Sequence, residues 1–304
     1  MNQQQTATQL ILTRDNYYGG QADIDYMSCS QYQDFLDCEA RAMAKIEGRF
    51  VREESEAFLV GNYFHTFFEG ESEHKKWCEE HFDDVFKSKL DKKTGELIIT
   101  GKYAPYTKAD ELIQTVMNDE LCRAFVEMPG ENEKIITGEI FGVPWKARLD
   151  KYLPDERIII DYKTCKSIYE TNYNPFTKQR ETFIETYGYM MRAAIYSELE
   201  KQMTGQTTDP QFILICVSKE GPPDKEIVSL NHRERYDVEL ETVKQNLARI
   251  MQVKNHRTPP KKCGVCEYCR SIKKLSTIKP YYQLMPEFRE ERQPDEESNF
   301  YKIS

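Results

Sequence analysis

The stretch from Lys134 to Lys163 constrains this 304-residue chain more than any other. Two extended segments, 134–140 and 145–153, are joined by Phe141-Gly142-Val143-Pro144. A second turn, Pro154-Asp155-Glu156-Arg157, leads into Ile158-Ile159-Ile160-Asp161-Tyr162-Lys163. Turn residues between β-branched and aromatic runs predict a three-stranded meander. Strand side chains alternate, so Asp161 and Lys163 share one face while Ile158 and Ile160 take the other. On the preceding strand Lys146, Arg148 and Asp150 share a face, and Asp150 precedes Asp161 by 11 positions across a tight turn. Two carboxylates and a lysine therefore converge. Hard oxygen ligands of this kind suit Mg²⁺ or Mn²⁺, which stabilise negative charge on a phosphodiester and acidify an attacking water. An isolated D-x-K on a strand is most often a solvated ion pair; its pairing with Asp150 on the adjacent strand sets this one apart.

Helical periodicity flanks the meander. Ser30 to Ile46 reads as one amphipathic helix with Ser30 as N-cap, carrying Cys38. Ser55 to Glu69 reads as a second, with His65 and Glu69 four residues apart on one face, where Glu69 could reach a second ion. Glu71 to Thr94, with acids and lysines around Trp77, Phe82 and Phe86, suggests a solvated amphipathic helix. After the meander come a helix from about Arg180 to Met203, a buried strand at Phe212 to Ser218, and a helix from about Arg235 to Val253. The order is that of a mixed α/β architecture. Pro259 and Pro260 close the core, and the acidic Glu287 to Asn299 predicts a mobile tail.

There are 42 basic and 51 acidic side chains, a formal net charge of −9, which at first argues against nucleic acid. Net charge averages over a surface that DNA touches only locally, however, and Lys261 to Lys274 carries five basic residues against one acid. No run of about 18 apolar residues occurs, so no membrane span is expected. The polar start lacks a secretory signal, so a cytoplasmic protein is expected. Nine cysteines, an odd number, argue for metal ligation over a disulfide framework. Cys263-Gly264-Val265-Cys266-Glu267-Tyr268-Cys269 places three thiolates in seven residues, and a tetrahedral site needs a fourth from elsewhere.

Gly138-Glu139-Ile140, Trp145 to Asp150 and Ile158 to Thr164 resemble the core motifs of the PD-(D/E)xK nuclease superfamily, and Gly61 to His65 resembles the helix motif of its RecB-like branch. The resemblance implies a restriction-endonuclease-like core, a mixed central sheet flanked by helices, with a C-terminal cysteine-cluster element. It implies His65, Asp150, Asp161 and the Tyr162 carbonyl as metal ligands, and Lys163 as the catalytic lysine. Tyr187 to Tyr196 is similar to the helix that follows this core. Tyr189, Arg192 and Tyr196 share a face there as DNA or active-site support, with Arg192 where glutamine is usual. That arginine could bind a DNA phosphate.

Ser28 to Ala44, with its Cys38-Glu39-Ala40-Arg41-Ala42 centre, and Val217 to Glu226 resemble the phage and prophage exonucleases related to RecE. This implies processing of double-stranded DNA ends for recombination in a bacterial cytoplasm, beside a RecT-type annealing protein; ring-forming relatives add a homo-oligomer to the expectations. Iron–sulfur nucleases such as AddB have one cysteine ahead of the histidine and three after the core. That layout implies Cys38, Cys263, Cys266 and Cys269 around a 4Fe-4S cluster, with Cys29 in reserve; the short closing spacing keeps zinc as the alternative. The expected organisation is an N-terminal extension (1–27), the nuclease domain (28–257), the cysteine element (258–275) and a tail (276–304). Two other readings are a non-catalytic DNA-binding module on the same fold, and an endonuclease or CRISPR-adaptation type end trimmer.

Overall fold

Alternation and turn chemistry build the meander. Strands β3 (Glu131–Ile140), β4 (Val143–Leu153) and β5 (Ile158–Cys165) follow one another antiparallel, with Phe141 and Gly142 at left-handed φ in the first turn. The computed structural model describes residues 10–174, 178–275, 278 and 280–284. A crossover brings β8 (Gln211–Ser218) parallel to β5, and β9 (Lys225–Ser229) closes the edge, giving the order β3-β4-β5-β8-β9. This is a mixed central sheet flanked by helices. The numbers β1 (Phe86–Leu90), β2 (Leu97–Lys102), β6 (Asn172–Asn174) and β7 (Gln179–Glu181) belong to two small hairpins.

The paired strands β5 and β8 are apolar on both sides because both sides are covered. On one face Ile159, Phe212, Leu214 and Cys216 pack against α2 (Cys29–Asp37), α3 (Glu39–Ile46), α10 (Tyr189–Thr204) and α11 (Arg233–Lys254). On the other, Ile160, Tyr162, Ile213 and Ile215 pack against α4 (Glu56–Glu69), α7 (Ala104–Met117) and α8 (Glu120–Glu127). The shorter helices are α1 (Gly20–Asp25), α5 (Glu71–Glu80), α6 (Phe82–Val85), α9 (Phe183–Thr186) and α12 (Glu267–Ser271). The segment before α2 is stitched to β4: Met27 N–H donates to Pro144 O and Lys146 N–H to Met27 O, both at 2.8 Å.

Three expected helices differ. Ser30–Ile46 is two helices, capped by Ser28, whose Oγ accepts from Gln31 N–H at 3.2 Å, and broken where Cys38 turns extended. The break lets Cys38 point away from the main core toward Cys269. Glu71–Thr94 stops being helical at Val85, because Leu97-Ile98-Ile99-Thr100 folds back through the Thr94-Gly95 turn and pairs with Phe86–Leu90. Arg180–Met203 begins as a strand, and Gly188 at φ 66 separates α9 from α10. The periodicity in each region is real, but an extended Cys38, a β-branched run and a left-handed glycine interrupt it in turn. The expected tail at Glu287–Asn299 lies outside the described residues.

Candidate active site and cysteine group

Asp150 and Asp161 lie where β4 and β5 part. Their ladder pairs Leu153 with Ile158, Tyr152 with Ile159 and Lys151 with Ile160, and then ends. β5 stays paired with β8 along its length. Beyond Lys151 the Asp150 carboxylate takes over from the β4 backbone, Oδ2 accepting the Tyr162 N–H at 2.9 Å. On its other side the β3–β4 ladder is broken at Glu133, which faces Asp150 with φ 56. Asp150 thus sits at an irregularity in both pairings, which frees its side chain to lie in the opening between strands.

Three further elements reach this opening. From α4, His65 Nδ1 stands 3.3 Å from Asp150 Oδ2. From β5, Lys163 Nζ is 2.8 Å from Asp161 Oδ2 and 3.7 Å from Asp150 Oδ2, and donates to Tyr162 O at 3.0 Å. From α10, Arg192 Nη1 is 3.3 Å from Asp161 Oδ1, with its guanidinium 5.3 Å from the Tyr189 ring centroid. The sequence-derived set His65, Asp150, Asp161, Tyr162 and Lys163 is therefore brought together. Tyr189 and Arg192 border it. Tyr196 lies within electrostatic reach of Arg192 and Asp161 and packs toward Phe212, with a ring separation of 6.2 Å. Glu69 ends α4 within electrostatic reach of Asp150 and His65, and burial raises its carboxyl while Arg148 and Arg14 pull it down.

Burial disfavours charge on Asp150, but Lys163 and His65 beside it more than compensate and hold its carboxyl well below the usual range. Lys163 is the mirror case: burial works against its charge, and Asp161 and Asp150 keep it protonated. The donors fit a hard divalent ion. They combine carboxylate oxygens, a backbone carbonyl and an imidazole. Asp161 Oδ2, although close to Lys163, receives no well-aligned hydrogen bond, leaving acceptor capacity in a nearly buried group.

Some neighbours are not legible in the sequence. Arg148 forms an ion pair with Glu133 and lies 4.8 Å from the centroid of the exposed Tyr18 ring. Burial pushes Glu133 up to about 8 even with Arg148 beside it. No motif marks Glu133 or Tyr18; only the broken ladder and the stitched N-terminal segment bring them near Asp150.

The second group forms below α3. The Sγ atoms of Cys38, Cys263, Cys266 and Cys269 all lie within 4.8 Å of one another, with Cys38 to Cys269 at 3.6 Å and Cys263 to Cys269 at 4.0 Å. The thiol-rich turn is preformed, since Cys266 N–H donates to Cys263 Sγ at 3.3 Å and Cys269 N–H to Cys266 Sγ at 3.4 Å. Burial opposes ionisation of Cys263, yet backbone N–H groups of Val265 and Cys266 draw its thiol down to about 7. Around it, Glu39 accepts from Arg249 and from Lys261 N–H, and Phe50 packs edge-on against Tyr268. Cys29 is buried in the main core, away from this group. Cys165 and Cys216 share that core, and Cys122 the opposite one.

The family model described as a PDDEXK-like domain of unknown function (DUF3799) matches residues 28–272. Among solved structures, the chain is similar to a protein of Eubacterium rectale provisionally named an exonuclease. The identity is 30%, the TM-score is 0.79, and the match covers 91% of this chain and 99% of that one. Another, SSO0001, matches at 15% identity over 80% of this chain and 94% of that one, but with a TM-score of 0.29 it does not bear on the fold. No curated protein matches. The strand opening with its two aspartates and lysine, the matched family model and the shared fold agree: this chain belongs to the PDDEXK-like family.

Proposed function

We propose that this chain is a divalent-metal-dependent deoxyribonuclease that hydrolyses phosphodiesters at the ends of linear duplex DNA. The carrying observation is the convergence of His65, Asp150, Asp161, the Tyr162 carbonyl and Lys163 at one opening between β4 and β5. His65, Asp150, Asp161 and Tyr162 O would hold Mg²⁺ or Mn²⁺, with Glu69 in reserve. A bound ion supplies charge stabilisation at the phosphate and a more acidic water. Lys163, kept protonated by its two aspartates, orients that water and neutralises charge on the phosphate. Arg192, pressed against Tyr189, offers a planar fork to a phosphate oxygen. The exonuclease reading is supported by the provisional name of the E. rectale protein, and the role in phage or prophage recombination, in a bacterial cytoplasm beside a RecT-type annealing protein, by the sequence resemblance alone.

For the cysteine group we propose a structural role, clamping α3 to the C-terminal element. Four thiolates around one zinc, each about 2.3 Å from it, stand about 3.8 Å apart. In a 4Fe-4S cluster each sulfur binds a different iron, which spreads the four ligands wider. The observed separations, 3.6 Å and 4.0 Å for two pairs, favour zinc. A colourless protein with one zinc per chain is expected; a brown protein carrying about four irons would overturn the zinc assignment.

Incubation with Mg²⁺ and either linear or covalently closed duplex DNA tests the function. Loss of the linear substrate alone, abolished by Asp150→Ala, is expected. Cutting of closed circles would make the enzyme an endonuclease. Binding without cleavage under Mg²⁺ or Mn²⁺ would favour a non-catalytic module.

A further inference from the structure

We propose that Arg192 takes the place of a second metal ion, so that this site works with a single divalent ion. The inference rests on the nuclease reading above. Its starting point is Asp161, the carboxylate held between Lys163 and Arg192. Both of its oxygens already face fixed cations, Oδ2 the Lys163 ammonium at 2.8 Å and Oδ1 the Arg192 guanidinium at 3.3 Å. A guanidinium does not deprotonate in a protein, so this charge is permanent.

The arginine is held where it is. Its N–H donates to Gly188 O at 3.1 Å in the first turn of α10, and its side chain, 23% exposed, lies against Tyr189. Gly188 is itself fixed: its φ of 66 suits glycine, and a Cβ there would meet Gln33 Nε2 at 2.7 Å. The opening thus carries a cation positioned by a helix start.

Charge balance points the same way. Two aspartates face one lysine and one arginine, so the set is neutral before any ion enters, and one divalent ion already makes it positive enough for a phosphodiester. A further ion on the Asp161 side would sit beside a guanidinium, whereas the remaining carboxylate, Glu69, interacts with Asp150 and His65 on the side left for the first ion. Glu133, a buried acid that faces Asp150, is engaged by Arg148. The His65, Asp150 and Tyr162 side of the opening, with the acceptor capacity left on Asp161 Oδ2, is left for the single ion. Arg192, on the Asp161 side, presents its remaining N–H groups to the phosphate, as a second ion would present positive charge.

The test counts ions and does not depend on turnover. Mn²⁺ is titrated by electron paramagnetic resonance into the full-length chain with its cysteine site filled with zinc, together with a short duplex whose terminal linkages are phosphorothioates. The wild type is expected to bind one Mn²⁺ that Asp150→Asn weakens at least tenfold. Arg192→Gln is expected to bind two, with the spin-coupled broadening of a close pair, and Arg192→Lys to return to one. Zinc content of each variant reports that it has folded. Two coupled ions in the wild type, or a single ion in Arg192→Gln, would overturn the one-ion inference while leaving the nuclease reading intact. No Asp150-dependent ion in the wild type would overturn both.

Discussion

Asp150 does two jobs: it caps a backbone N–H where β4 leaves β5, and it faces the ammonium of Lys163 and the imidazole of His65. Its folded-state pKa lies below the ordinary 3.8, so its stabilising contribution is complete above that pH and is lost as pH falls further. Asp150→Asn keeps the acceptor but removes the charge. It should cost the metal-free protein about 2 kcal/mol at pH 7, and the cost should shrink toward pH 3. Urea unfolding at the two pH values measures this, and an equal cost at both would contradict the assigned electrostatics. Lys163→Ala should lower cleavage at least about a hundredfold, the scale of a lost charge-stabilising group, with DNA affinity falling far less. Gel-shift and single-turnover assays separate the two quantities. The two aspartates and the lysine were legible because a period of 2 and a short turn fix which strand residues meet. Glu133 and Tyr18 were not, since nothing local in the sequence announces a left-handed residue in mid-strand or a terminal segment lying along β4.

The helix expected over Ser55 to Glu69 forms, whereas that expected over Ser30 to Ile46 is capped at Ser28 and split at Cys38. Ser55 caps α4, its Oγ accepting from Phe58 N–H, and the helix then carries His65 to the opening. The β1–β2 hairpin was missed because amphipathic helix periodicity continues past Val85 into residues that pair as strands. Gly138 shows how closely α10 approaches β3. A Cβ there would meet Gln202 Oε1 at 2.5 Å and Leu199 Cδ2 at 2.9 Å. Gln202 cannot easily yield, since it accepts from Glu139 N–H and donates to Glu139 O, both at 2.9 Å. Gly138→Ala should therefore cost about 1–2 kcal/mol by breaking those bonds, read by thermal unfolding; an unchanged Tm would contradict the close approach. The break between α2 and α3 has its reason in Cys38. Cys38→Ser, or stripping the metal with a strong chelator, should lower Tm by about 5 °C or more. It should also speed hydrogen exchange in α3 and α12 while the central sheet stays protected. Uniform loss of protection would mean the group supports the whole core.

For the whole molecule, the net charge of −9 loses its force as an argument against DNA once the site is described. Asp150 and Asp161 are set among Lys163 and Arg192, and Lys261, Lys262, Arg270, Lys273 and Lys274 cluster at the cysteine element. Among the described residues no helix is long and apolar enough to cross a membrane. The sheet order was only partly legible. The meander followed from turns, whereas β9 and the helices α7 and α8 leave weaker patterns that only the packed faces of the sheet explain. Each face has its own core, and the site lies at the seam where α4 from one and α10 from the other meet the parted strands. The central claim is that this seam hydrolyses DNA with a divalent ion. The most direct measurement is Mg²⁺-dependent release of nucleotides from linear duplex DNA by the wild type and by Asp150→Ala. Release by the wild type, none without Mg²⁺ and none by the variant is expected; release by Asp150→Ala at the wild-type rate would contradict the assignment of the site.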